Sequence, residues 1–162
     1  MKLDPIKNAA TVFFASEQTD ARRIFHGRGQ LFPGLEHISI DWFRPLLLIT
    51  AYAEIEDEAG LQKVLLQADA QQQIQTILIQ DRFERGAPAR TVYGEEATPL
   101  VVSEGNLRFD VHPGTQQNSG LFLDMRCLRD WLLENSRDAN VLNLFAYTCS
   151  LSVAALAGAA KS

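Results

Sequence analysis

Small and polar residues crowd one short stretch late in the chain, Val141-Leu142-Asn143-Leu144-Phe145-Ala146-Tyr147-Thr148-Cys149-Ser150-Leu151-Ser152. An apolar run that empties through such a turn into a small-residue helix reads as strand, turn and helix. A parallel strand ending at a helix N-terminus makes a ligand crevice. The first amides of a helix lack internal acceptors, so they can hold carboxylate or ribose oxygens, and Ala146, Cys149 and Ser150 leave room for close approach. The same residues suit a plain strand-to-helix connection equally well. The Gly-x-Gly-x-x-Gly fingerprint is absent, which disfavours a nicotinamide dehydrogenase.

Few other side chains offer chemistry. A thiolate at Cys149 has the character of a covalent nucleophile, but its place in the turn fits ligand contact better, and Cys127 reads as a small buried hydrophobe. His26, His37 and His112 are scattered without triad or metal spacing and read as hydrogen-bonded residues at strand ends; no metal site is expected. Arg22, Arg23 and Arg28, with His26 and Phe25, could form a local patch in which cations meet phosphates and a ring stacks on a base. The alternative, a solvated strand face and a core Phe25, is the favoured one of the two. Arg82, Arg85 and Arg90 form a second cluster, diluted by Asp81 and Glu84. Trp42 and Phe43 serve the core or a domain contact.

The elements that must position these residues follow from periodicity. Asp4-Pro5 places a capping carboxylate before a helical proline, and Ile6, Ala9, Ala10 and Phe13 recur at helical spacing. Ala21 to His26 reads as a strand running into a loop punctuated by Gly27, Gly29, Pro33 and Gly34. His37 to Trp42 and Leu46 to Tyr52 read as an antiparallel pair about Arg44-Pro45. From Asp57 an amphipathic helix carries Leu61, Val64, Leu65 and Ala68, and Thr76 to Gln80 reads as a strand followed by a loop at Gly86 and Pro88. Pro99 to Ser103 and Leu107 to His112 flank Glu104-Gly105-Asn106 as a hairpin. After Pro113 to Gly120 come an apolar stretch at Leu121 to Leu123, a helix around Met125 to Glu134, a buried strand Asn140 to Leu144, and a helix from Ser150 to about Leu156.

The predicted fold class is therefore an α+β N-terminal domain with mostly antiparallel strands, residues 1–112, followed by the start of an α/β Rossmann-like domain, residues 113–162. Of the 162 residues 46% are hydrophobic and 22% charged, which excludes disorder, and two cysteines exclude a disulfide scaffold. No window approaches a spanning helix and no cleavable leader is evident, so a cytoplasmic protein without membrane contact is expected. The net charge of -5 means that any nucleic-acid contact must rest on a local basic surface.

Gln117-Asn118-Ser119-Gly120-Leu121-Phe122-Leu123-Asp124-Met125-Arg126, followed by Val141 to Thr148, resembles the linked motifs of class I S-adenosylmethionine (SAM) dependent methyltransferases of the large-subunit ribosomal RNA cytosine-C5 type. Phe25-His26-Gly27-Arg28-Gly29, Pro33-Gly34-Leu35-Glu36 and Asp41 are similar to that family's central domain. The resemblance implies a methyltransferase with SAM as cofactor and RNA, ribosomal RNA above all, as substrate. It implies cofactor contact for Asn143, Phe145, Ala146, Tyr147, Thr148 and Ser150, with Phe122, Asp124 and Arg126 lining or bracing the same pocket. Cys149-Ser150 departs from the glycines usual after Tyr-Thr in relatives, and a Cβ there resists positive φ. The family's later acidic and catalytic segments lie past Ser162, so an N-terminal fragment is expected, its catalytic nucleophile outside this sequence. The contrasting reading is a non-catalytic module that binds RNA or a protein partner. An open sheet edge would also permit a homodimer.

Overall fold

The computed structural model describes residues 2–96, 99–144 and 146–162. Its first element, α1 (Asp4–Phe13), buries Ile6 and Ala10. Leu3, not Asp4, is the cap residue: Asp4 lies in the first turn and makes no capping bond, serving the helix dipole instead.

A five-stranded sheet follows in the order β1 (Arg22–His26), β2 (Ile38–Phe43), β3 (Leu46–Ala51), β4 (Thr76–Asp81) and β5 (Ala89–Tyr93). The expected antiparallel pair forms in unbroken register from Ile38 opposite Ala51 to Phe43 opposite Leu46. β3 and β4 are parallel, as their connection through helix α2 (Glu58–Ala68) requires, and every other adjacency is antiparallel. Consequently β1, β3 and β4 run in one direction. Asp57 caps α2 by accepting the Gly60 N–H at 2.8 Å. β5 was not expected, because its mostly exposed residues on a sheet edge carry little apolar alternation.

Alternation divides the sheet into two faces. Ile38, Ile40, Trp42, Leu47, Ile49, Ala51, Ile77 and Ile79 pack under α1 and α2 with Phe14, Leu61 and Leu65. Trp42 is fully buried, its ring edge-on to Phe14 at 5.3 Å. On the opposite face Phe43, Leu46, Leu48 and Leu78 meet the hairpin β6 (Leu100–Glu104) and β7 (Leu107–Val111). This second core continues into Leu121, Leu123, Leu132, Ala154 and Ala155, so it draws on both sides of position 112.

A single 3-10 turn, Leu123–Met125, leads into α3 (Arg126–Asn135), and α4 (Ser150–Ala157) packs beside α3. Between them one expectation fails. Residues 140–144 form no strand, and Leu142 and Leu144 are 83% and 69% exposed. A parallel strand exists only by pairing, and among the described residues no strand lies beside this segment. It runs instead against the chain's last residue, with Val141 N–H donating to the Ser162 carbonyl at 2.6 Å. Among the described residues no helix is long and apolar enough to cross a membrane.

Candidate functional site

The turn before α4 is built from conformations that side chains resist. Tyr147 and Cys149 have φ of 43° and 60°, in the left-handed region where a Cβ is crowded. Cys149 thus takes up the geometry for which glycine would be the undemanding choice. Three bonds hold the turn there: Cys149 N–H donates to the Ala146 carbonyl at 2.6 Å, Thr148 Oγ1 to the Gly120 carbonyl at 2.5 Å, and the Tyr147 hydroxyl, weakly, to the Asn118 carbonyl at 3.4 Å. Strained backbone maintained by its surroundings is a common feature of ligand sites.

The same contacts bring the turn against the Phe122 segment. The Phe122 and Tyr147 rings lie 5.4 Å apart at 47°. Phe122, Asp124, Asn143, Ala146, Tyr147, Thr148 and Ser150 line one cavity of about 370 Å³, together with Met125, Leu144 and Leu151. Clefts of roughly 300–1,000 Å³ suit small-molecule cofactors. Among the described residues no side chain caps α4, which leaves its first amides to an anionic or hydroxyl ligand. Asn143 donates to Ser152 Oγ at 2.9 Å, tying the segment before the turn to the helix after it.

Of the nine expected cofactor residues, seven line this cavity. Phe145 lies outside the described residues. Arg126 does not line the cavity; its Nη2 donates to Asp20 Oδ2 at 2.7 Å, and its Nη1 is buried with no partner among the described residues. Burial alone would raise the Asp20 pKa, but the bond from Arg126, the Gly105 N–H and the charges of Arg126 and Arg22 outweigh it and hold the carboxyl below its ordinary range.

The residue that braces the Phe122 segment is Arg129, which the sequence reading passed over. Fully buried, it donates from Nε and Nη2 to the two oxygens of Glu104 at 2.6 and 2.7 Å, and from Nη1 to the Phe122 carbonyl at 3.0 Å. A two-pronged guanidinium–carboxylate pair is the geometry that makes a buried charge tolerable. The available signal was positional: with Leu132, Arg129 occupies the stripe of α3 that faces the core, where a charge demands a partner.

The expected arginine patch separates. Arg23 is bound to Asp41 through two bonds of 2.7 and 3.1 Å. Burial raises the Asp41 pKa, and the opposing bond and charge of Arg23 do not cancel it. Arg22 is exposed, Phe25 is in the core, and Arg28 stacks on Tyr52 with its guanidinium carbon 4.5 Å from the ring centroid. Cys127 is exposed, contrary to its reading as a buried hydrophobe, because it lies off the core-facing stripe of α3. Nε2 of His37 is buried and has no hydrogen-bond partner among the described residues.

Known proteins resemble this chain in sequence and in fold. The ribosomal RNA large subunit methyltransferase K/L of Pseudoalteromonas translucida (strain TAC 125) is 33% identical over 135 residues, which is 78% of this chain and 19% of that protein. Its counterpart in Psychrobacter arcticus (strain DSM 17307 / VKM B-2377 / 273-4) is 60% identical over 45 residues, 27% of this chain and 6% of that protein. The crystal structure of SMU.776 complexed with SAH superimposes with a TM-score of 0.76 at 26% identity, covering 99% of this chain and 41% of that one. The chain thus spans about a fifth of the first relative's length and two-fifths of the solved structure. A family model described as S-adenosylmethionine-dependent methyltransferase matches residues 22–162, and the chain belongs to that family.

Proposed function

We propose that the cavity between the Phe122 segment and the turn before α4 binds SAM, and that the protein serves methyl transfer to a base of large-subunit ribosomal RNA. The observation that carries the reading is the convergence of two separate segments, 122–125 and 143–151, on one cavity beside open helix amides. Phe122 and Tyr147 would offer apolar faces to the cofactor, Asp124 a carboxylate for its cationic or hydroxyl groups, and the α4 amides donors for its oxygens. When bound, SAM supplies an electrophilic methyl group; the chain's own residues orient it and keep water away. Support for an RNA substrate comes from the names of the K/L relatives, and the resemblance to cytosine-C5 enzymes makes cytosine the first base to assay.

Calorimetric titration with SAM tests the cofactor site. Micromolar binding by the unaltered chain, weakened about tenfold or more by Asp124→Ala and by Tyr147→Ala, is expected; a tenfold change corresponds to about 1.4 kcal/mol. Equal affinity in both variants would remove the site assignment. Transfer of labelled methyl from SAM to ribosomal RNA, followed by identification of the modified nucleoside, tests the substrate and the base.

A further inference from the structure

We propose that the end of the sheet where β1, β3 and β4 terminate docks the phosphodiester backbone of a single-stranded RNA segment, gripped by Arg28 and Arg82 on either side of Tyr52. This inference rests on the RNA methyltransferase reading and adds to it the place where substrate is held.

The three residues meet because of topology. β1, β3 and β4 share a direction, so the chain leaves all three at one edge of the sheet. Arg28 lies two residues past β1, Tyr52 one past β3 and Arg82 one past β4. The carboxyl ends of parallel strands are where open sheets bind ligands. The Tyr52 ring has the guanidinium carbons of Arg28 and Arg82 at 4.5 and 5.7 Å from its centroid. Cation–π attraction holds both charges in place.

Neither arginine forms an ion pair among the described residues, whereas Arg23, Arg44, Arg90, Arg126 and Arg129 all do. In a chain of net charge -5, two guanidiniums fixed around one ring without an acidic partner call for an anion from outside. Phosphate oxygens match guanidinium donors in two-pronged geometry, and guanidinium planes also stack on unpaired bases.

The surface beside them turns polar. Along β3 and β4 the face opposite α1 and α2 changes from Leu46, Leu48 and Leu78 to Thr50 and Gln80, and then to Tyr52 and Arg82. A polar cavity of about 80 Å³ opens there, lined by Asp41, Thr50, Gln80, Tyr52, Arg82 and Phe122 among others. Phe122 also lines the proposed cofactor cavity, so the two spaces share a wall. Arg82 and Phe122 thus line one cavity, and Phe122 carries that surface over to the proposed cofactor cavity.

The test is fluorescence anisotropy with a short single-stranded RNA oligonucleotide at roughly 50 to 200 mM salt, the range over which phosphate contacts are read from the slope of log affinity against log salt. Wild-type chain should bind, and the Arg28→Gln/Arg82→Gln pair should make the slope shallower by about 1.4, or about 0.7 for each lost contact to a single strand. Tyr52→Phe should keep the wild-type slope, Tyr52→Leu should lose part of it, and SAM titrations should be unchanged in all variants. Unchanged slopes in the double variant overturn the docking site and leave the methyltransferase reading in place. Binding of SAM without any binding of RNA overturns the docking site and the RNA part of that reading together. Displacement of the oligonucleotide by inorganic phosphate at matched ionic strength would assign a free-phosphate site and overturn the proposal.

Discussion

Replacing Glu104 with glutamine takes away the negative charge that Arg129 faces in the interior. Both side chains are almost wholly inaccessible, so water cannot enter to solvate the guanidinium left behind. Removing one partner of a buried ion pair costs about 3–5 kcal/mol. The amide of glutamine still accepts one N–H, which places Glu104→Gln near the lower end. For a chain of this size about 1 kcal/mol moves the melting temperature by roughly 2–4 °C, so a fall of about 6–12 °C is expected by calorimetry. The paired variant Glu104→Leu/Arg129→Met should regain most of that stability, since apolar replacement of a buried pair is often neutral or better. It should not regain SAM affinity, because the Phe122 carbonyl loses its 3.0 Å donor and the segment loses its brace. The two readouts separate packing from positioning. A melting point for Glu104→Gln within 1 °C of wild type, on the order of the measurement's resolving power, would refute the buried pair. Full recovery of SAM binding in the double variant would refute the brace.

Two further variants probe the same framework. Because Asp20 is held below the ordinary carboxylate range, its pairing with Arg126 contributes fully above the unfolded value near 3.8 and is lost as pH falls through the lower folded value; Asp20→Asn should flatten the stability profile below about pH 4, seen in melts across that range. Cys149→Gly relieves the crowding at φ 60° and should stabilise by about 0.5–1 kcal/mol in urea denaturation, whereas β-branched Cys149→Val should destabilise by about 1 kcal/mol or more.

The strands and helices of the first hundred residues were largely legible because their signals are local. Ile38 to Ala51 is rich in β-branched and aromatic residues on both sides of the Arg44-Pro45 turn, and Leu61 and Leu65 recur at helical spacing behind a capping Asp57. The turn before α4 was legible too, since small and polar residues run there into a helix that starts at Ser150 as expected. Where an element depends on a neighbour, the sequence could not show the outcome. Residues 140–144 have strand composition, yet lie unpaired because no strand sits beside them among the described residues. β5 exists because β4 offers an edge, despite weak alternation of its own.

Charged residues show the same division most clearly. Arg126 and Arg129 are of one type on one helix, and nothing in their local spacing says that the first is bound to Asp20 while the second is buried on Glu104. Their partners lie 106 and 25 residues away, and it is folding that sets which carboxylate each guanidinium meets. Arg28, Tyr52 and Arg82 likewise come from three unrelated stretches and meet only because three strands end at one edge. Periodicity and turn chemistry act over a few residues and are written along the chain, whereas a charge takes its role from what the fold places within a few ångströms of it.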